Sequence, residues 1–79
     1  MKIELHLFAS LAEYMPPRAD DGSNFMQTEE GVTINKVLLQ LGVPEEAVKI
    51  VFVNGIITKV DDVLHDGDRL GVFPAVAGG

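Results

Sequence analysis

The sequence contains no cysteine among its 79 residues. That excludes a disulfide scaffold, a cysteine-based zinc site and a persulfide held on this chain. It suits a reducing compartment. Basic residues are scarce: six Lys and Arg stand against twelve Asp and Glu, for a net charge of −6. A nucleic-acid binder needs a basic footprint to displace counterions, and this chain has none. Long apolar runs are missing too. Stretches such as Ile50 to Val53 are far too short to span a bilayer. Met1 leads straight into an alternating pattern with charges at Lys2 and Glu4, unlike a secretory signal, so the expected location is the cytoplasm, with no membrane partner. His6 and His65 are far apart with no ligand spacing around them, so no metal site is expected. Asp61-Asp62 and Asp66/Asp68 read as turn acids rather than a calcium loop. Neither a nucleophile–base set nor a phosphate-binding loop is visible.

What remains is a chain for one small domain. At 47% hydrophobic residues it can build a core rather than stay disordered. Lys2 to Ala9 alternates, with Ile3, Leu5 and Leu7 on one face and Glu4, His6 and Phe8 on the other, which predicts a half-buried strand. Ser10 to Met15 is compatible with a short helical turn. Pro16-Pro17 through Asn24 reads as a loop and Phe25 to Glu29 as a second strand, antiparallel to the first.

Thr33 is placed to cap a helix. Ile34, Val37, Leu38 and Leu41 form one apolar stripe at i, i+3, i+4 and i+7, closed by Gly42 and Pro44. Pro44 to Val48 suggests another brief turn. Ile50 to Val53, Asn54-Gly55 and Ile56 to Thr58 make a hairpin with a type I′ turn. Asp66-Gly67-Asp68 is a turn, Arg69 to Phe73 the last strand, and residues 74–79 a flexible tail. One helix must then cover one face of a mixed sheet, with the first and last strands as parallel neighbours. This is an α+β chain of β-grasp, ubiquitin-like architecture over residues 1–79.

The same alternation leaves one sheet face uncovered. If Leu70 and Val72 point inward, Arg69, Gly71 and Phe73 point outward. A two-residue turn pairs Val53 with Ile56 and Phe52 with Ile57. With Val51, Val53 and Ile56 facing the helix, Phe8, Phe52, Ile57 and Phe73 form an exposed apolar patch suited to a protein interface.

Three segments resemble a known family. Leu7-Phe8-Ala9-Ser10-Leu11-Ala12-Glu13-Tyr14 resembles the opening strand and turn of the small subunit of molybdopterin synthase. Val53-Asn54-Gly55 resembles its middle hairpin. The run from Asp66 through Val72-Phe73-Pro74-Ala75-Val76-Ala77-Gly78-Gly79 resembles its last strand and tail. Ala75 stands where molybdopterin members often carry a second proline. The thiamine sulfur carrier has the same fold and Gly-Gly end, but it usually begins with a tighter hairpin.

The resemblance implies a sulfur carrier that is a co-substrate or subunit rather than an enzyme. Its working group would be the Gly79 carboxylate, with Gly78 threading the end through a narrow channel because neither glycine has a Cβ. The implied partners are an adenylating enzyme, which binds and spends the ATP, and a persulfide sulfur donor. The acceptor would be the molybdopterin synthase large subunit or thiazole synthase. This chain itself would bind no cofactor. Positions matching Phe8, Ile57 and Phe73 resemble the family's docking surface, and Phe52, Pro74 and Val76 adjoin it. A modifier that conjugates to lysines through Gly79, and a plain interaction module, stay open as alternatives.

Overall fold

The structure is a computed structural model that describes residues 1–17 and 22–75. Val76, Gly78 and Gly79 lie outside the described residues, as does part of the loop after Pro17.

Strand β1 (Lys2–Leu7) buries every second residue, and Ile3, Leu5 and Leu7 all enter the core. Backbone pairing continues one residue beyond it, where Phe8 N–H donates to Val72 O at 3.0 Å. Ala9 then takes a positive φ of 52°, which turns the chain off the sheet into a 3-10 turn over Ala9–Tyr14. Leu11 from that turn is buried in the core. Strand β2 (Phe25–Gln27) pairs antiparallel with β1 and ends two residues short of the expected Glu29.

Helix α1 (Ile34–Leu41) starts and stops where its signals stand. Thr33 Oγ1 accepts from Lys36 N–H at 3.2 Å, and Gly42 closes the helix in the left-handed conformation at φ 81°. Ile34, Val37 and Leu38 are buried, and Leu41 packs against their cluster. The cap is exposed and local, so Thr33→Ala should cost about 1 kcal/mol. It should appear as a lower denaturation midpoint at an unchanged slope.

A second 3-10 turn (Glu45–Ala47) leads into β3 (Val48–Val53), which pairs antiparallel with β4 (Ile56–Thr58). Asn54 and Gly55 take φ values of 54° and 82°, the pair a type I′ turn requires. Strand β5 (Arg69–Pro74) lies between β1 and β3, parallel to the first and antiparallel to the second. The sheet order is β2-β1-β5-β3-β4. A mixed five-stranded sheet with one main helix is the β-grasp, ubiquitin-like fold.

Two expectations need correction. Residues 74–79 are not all tail: Pro74 belongs to β5, paired with Val48, and Ala75 N–H donates to Ala47 O at 2.8 Å. A proline is tolerated there because it ends the strand. Ile56 does not reach the helix-covered core. It is 71% exposed, because β4 is the sheet edge and the core stops at β3. The core itself joins Ile3, Leu5, Leu11, Ile34, Val37, Leu64, Leu70 and Val72, all almost fully enclosed.

Candidate functional site

The face opposite the core is built by strand register. Glu4 sits beside Arg69 and His6 beside Gly71 across the parallel β1–β5 pair. Gly71 also faces Phe52, and Phe73 faces Ile50, across β5–β3. On this face the residues at even positions of β1 meet those at odd positions of β5, so aromatic and charged side chains share one surface. No described element covers it.

Phe8, Phe52 and Phe73 converge. Phe8 stacks on Phe73 with ring centroids 4.4 Å apart and planes 8° from parallel. Phe52 meets Phe73 edge-on at 5.6 Å. Such pairs are worth ~0.5–1.5 kcal/mol beyond the area they bury. The rings stay partly in water even so, with Phe8 and Phe73 each 39% exposed. The extended backbone of Phe8 and the reversal at Ala9 aim the first ring across β5. A register shift between Val48 and Ile50 accommodates the extra residue Lys49 opposite the end of β5, next to Phe73.

The other predicted residues are placed less uniformly. Ile57 shares the face through its pairing with Phe52 and is 65% exposed, but it lies beyond Phe52 and outside the ring cluster. Pro74 follows Phe73 on the opposite parity and is half-buried, so it is not in the ring cluster.

A polar group borders the rings. His6 Nε2 lies 2.5 Å from Glu4 Oε2, and Arg69 Nε donates to the same oxygen at 3.1 Å. The His6 ring is also near-parallel to Phe8, at 6.2 Å. Asn54 fixes the start of β5, accepting from Arg69 N–H at 3.0 Å and donating to Asp68 at 2.9 Å. The hydrogen bond from His6 holds the Glu4 carboxyl below its ordinary value of 4.5, helped by the Arg69 charge and opposed by desolvation.

A folded-state value below the unfolded one stabilises the fold above pH 4.5, and that contribution disappears as pH falls through the folded value. Glu4→Gln should therefore lower the urea midpoint near neutrality, and the gap to the parent chain should close at strongly acidic pH.

Sequence parity puts Glu4, His6 and Arg69 on one face, but nothing in the sequence fixes the parallel register that joins them. Between the rings runs a groove of about 300 Å³ lined by His6, Phe8, Phe52, Gly55, Arg69, Gly71 and Phe73.

Several solved structures are similar to this chain, three of them as follows. The Haloferax volcanii HVO 2177 protein has 26% identity and a TM-score of 0.69, covering 100% of this chain and 87% of that one. Small archaeal modifier protein 1 of H. volcanii has 24% identity and a TM-score of 0.66, covering 95% and 98%. A putative molybdopterin converting factor, subunit 1, from Pyrococcus furiosus has 24% identity and a TM-score of 0.67, also covering 95% and 98%. No curated protein matches the sequence. These structures share the fold of this chain, in agreement with the architecture expected from the sequence. The Mut7-C ubiquitin family model matches residues 1–78, and the chain belongs to that family.

Proposed function

We propose that this chain carries sulfur as a thiocarboxylate on Gly79 and delivers it to a biosynthetic partner. The observation that carries the reading is the exposed Phe8–Phe73 stack at the end of β5, the strand whose sequence continues into Val76-Ala77-Gly78-Gly79. A docking surface next to a reactive end is what a carrier needs. The partner grips the folded domain while the end reaches into a separate site.

A carboxylate is a poor acyl electrophile. ATP converts it to an acyl-adenylate with loss of pyrophosphate. A persulfide sulfur then displaces AMP, and a thiol cleaves the resulting acyl disulfide to leave the thiocarboxylate. The adenylating enzyme supplies the ATP site, and the chain acts as co-substrate. Phe8, Phe52, Phe73 and Ile57 would dock that enzyme and the acceptor in turn, with Pro74 and Val76 setting the exit of the tail.

The similarity to a putative molybdopterin converting factor subunit supports molybdopterin synthesis, with the synthase large subunit as acceptor. Thiazole synthase is the other acceptor of this chemistry. A second reading is favoured by the similarity to a small archaeal modifier protein: Gly79 joined to a lysine by an isopeptide bond. The test is intact mass after incubation with ATP, an adenylating enzyme of the ubiquitin-activating type and a persulfide donor. A gain of one oxygen-to-sulfur exchange supports the carrier. Conjugates of higher mass support the modifier. An unchanged mass, with the enzyme active on its own carrier, overturns both.

A further inference from the structure

On the open face β5 presents Arg69, Gly71 and Phe73, so the middle position has no side chain. Its neighbours across the sheet are His6 on β1 and Phe52 on β3. The backbone at Gly71 is ordinary strand, so its conformation does not call for glycine. Glycine inside a strand weakens it, and a close approach by another group is a common reason for one. Here that group is the Phe8 ring. A Cβ built on Gly71 would lie 3.4 Å from Phe8 Cε2 and 4.0 Å from Phe52 Cβ. Both are ordinary contact distances, so a methyl fits. A branched side chain would bring two more carbons against a ring edge already in contact.

Phe8 has little else to hold its ring. It lies one residue past β1, where its N–H donates to Val72 O at 3.0 Å and Ala9 turns the chain away at φ 52°. Those features fix its backbone and leave χ1 and χ2 to the packing. The His6 ring is near-parallel but 6.2 Å off. The close contacts are the Phe73 ring, with centroids 4.4 Å apart, and Gly71. The Phe8 ring lies flat beside Phe73 because its edge passes over the bare backbone of Gly71. A ring held in this way loses less freedom when a partner docks than one that must first be ordered.

We infer that Gly71 is a positioning residue of the docking face: by having no side chain it seats the Phe8 ring against Phe73, and it thereby presets the surface that the adenylating enzyme grips. The inference rests on the docking role proposed above for this face. It separates two effects that usually go together. A larger residue at position 71 favours the strand itself, yet it weakens docking, and it does so only through Phe8.

The test compares Gly71→Ala, Gly71→Val, Phe8→Ala and the double variant Phe8→Ala/Gly71→Val in the full chain. NMR contacts between the Phe8 and Phe73 rings should persist in Gly71→Ala and be lost in Gly71→Val. The melting temperature of Gly71→Val should stay near that of the parent, because the strand-forming residue offsets the lost stack. With an adenylating enzyme of the ubiquitin-activating type, Gly71→Val and Phe8→Ala should each raise KM about tenfold at unchanged kcat, the order expected for losing one interface aromatic. In the Phe8→Ala background, Gly71→Val should move KM by no more than about twofold, the margin within which independent effects add. Ring contacts that survive Gly71→Val would overturn the inference. So would an unchanged KM once the ring has moved, or an undiminished effect of Gly71→Val without Phe8. A Gly71→Val chain that does not fold would overturn it as well, since the sheet rather than the face would then require the glycine. Failure of the sulfur-carrier reading shows separately, as a parent chain that the enzyme does not adenylate, while the ring contacts report on Gly71 without any tail chemistry.

Discussion

A chain shortened by Gly79 is expected to take up no sulfur while melting at the same temperature as the intact chain. The stability half follows from where the fold's bonds are. The core lies in β1, α1, β3 and β5 and the segments between them, and the last described backbone bond is that of Ala75 to Ala47, in the turn before β3. The chemical half follows from reach. Removing one residue draws the terminal carboxylate back by up to ~3.3–3.6 Å. A displacement of ~1 Å between reacting groups already costs roughly a hundredfold. The shortened chain still ends in a glycine carboxylate, so its loss of reaction would report position rather than the kind of terminal group. Intact mass after incubation with ATP, adenylating enzyme and persulfide donor reads the result. Normal sulfur uptake by the shortened chain would remove Gly79 from the mechanism and leave the face without its proposed purpose.

How legible this arrangement is in the sequence depends on how local each cause is. Thr33 and Gly42 delimit α1 because caps act within one turn. Asn54-Gly55 fixes the β3–β4 register, so the pairing of Phe52 with Ile57 follows from the turn residues alone. Alternation in β1 and β5 assigns Phe8 and Phe73 to one face through an equally local cause, the two-residue period of a strand. Longer-range effects are not readable in this way. The parallel register that sets Glu4 beside Arg69 and His6 beside Gly71 depends on how a long crossover packs, and no short motif encodes it.

The width of the helix-covered core is another such effect. Val53 touches it and its partner Ile56 does not, although both read as inward-facing apolar residues. Pro74 reads as tail because proline usually stops a strand. The bulge at Lys49 lets β3 pair with it at the corner of the sheet. Gly71 looks like any strand glycine until the Phe8 ring is seen to lie against it.

Leu70→Ala should have the largest effect on stability. Leu70 is fully enclosed in β5, which lies between β1 and β3, with Leu5 and Val53 as its cross-strand neighbours. Truncating a buried leucine costs ~2–5 kcal/mol through lost transfer energy and the cavity left behind. Domains typically have ~5–15 kcal/mol in total, and one of this size belongs toward the lower end. Much of the fold's stability should go with one side chain, seen as a lower urea midpoint at an unchanged slope. Ile57→Ala, at an exposed position on the edge strand β4, should stay within ~0.5 kcal/mol of the parent. The contrast matters for function. Leu70→Ala would reduce sulfur uptake by depleting the folded chain, and a ligand or partner that binds only the folded state would partly restore it. Ile57→Ala would leave the folded population intact, so any loss of uptake with that variant would be a loss of docking. If Ile57→Ala proved as destabilising as Leu70→Ala, the open face would be part of the core, and its assignment as a docking surface would fall.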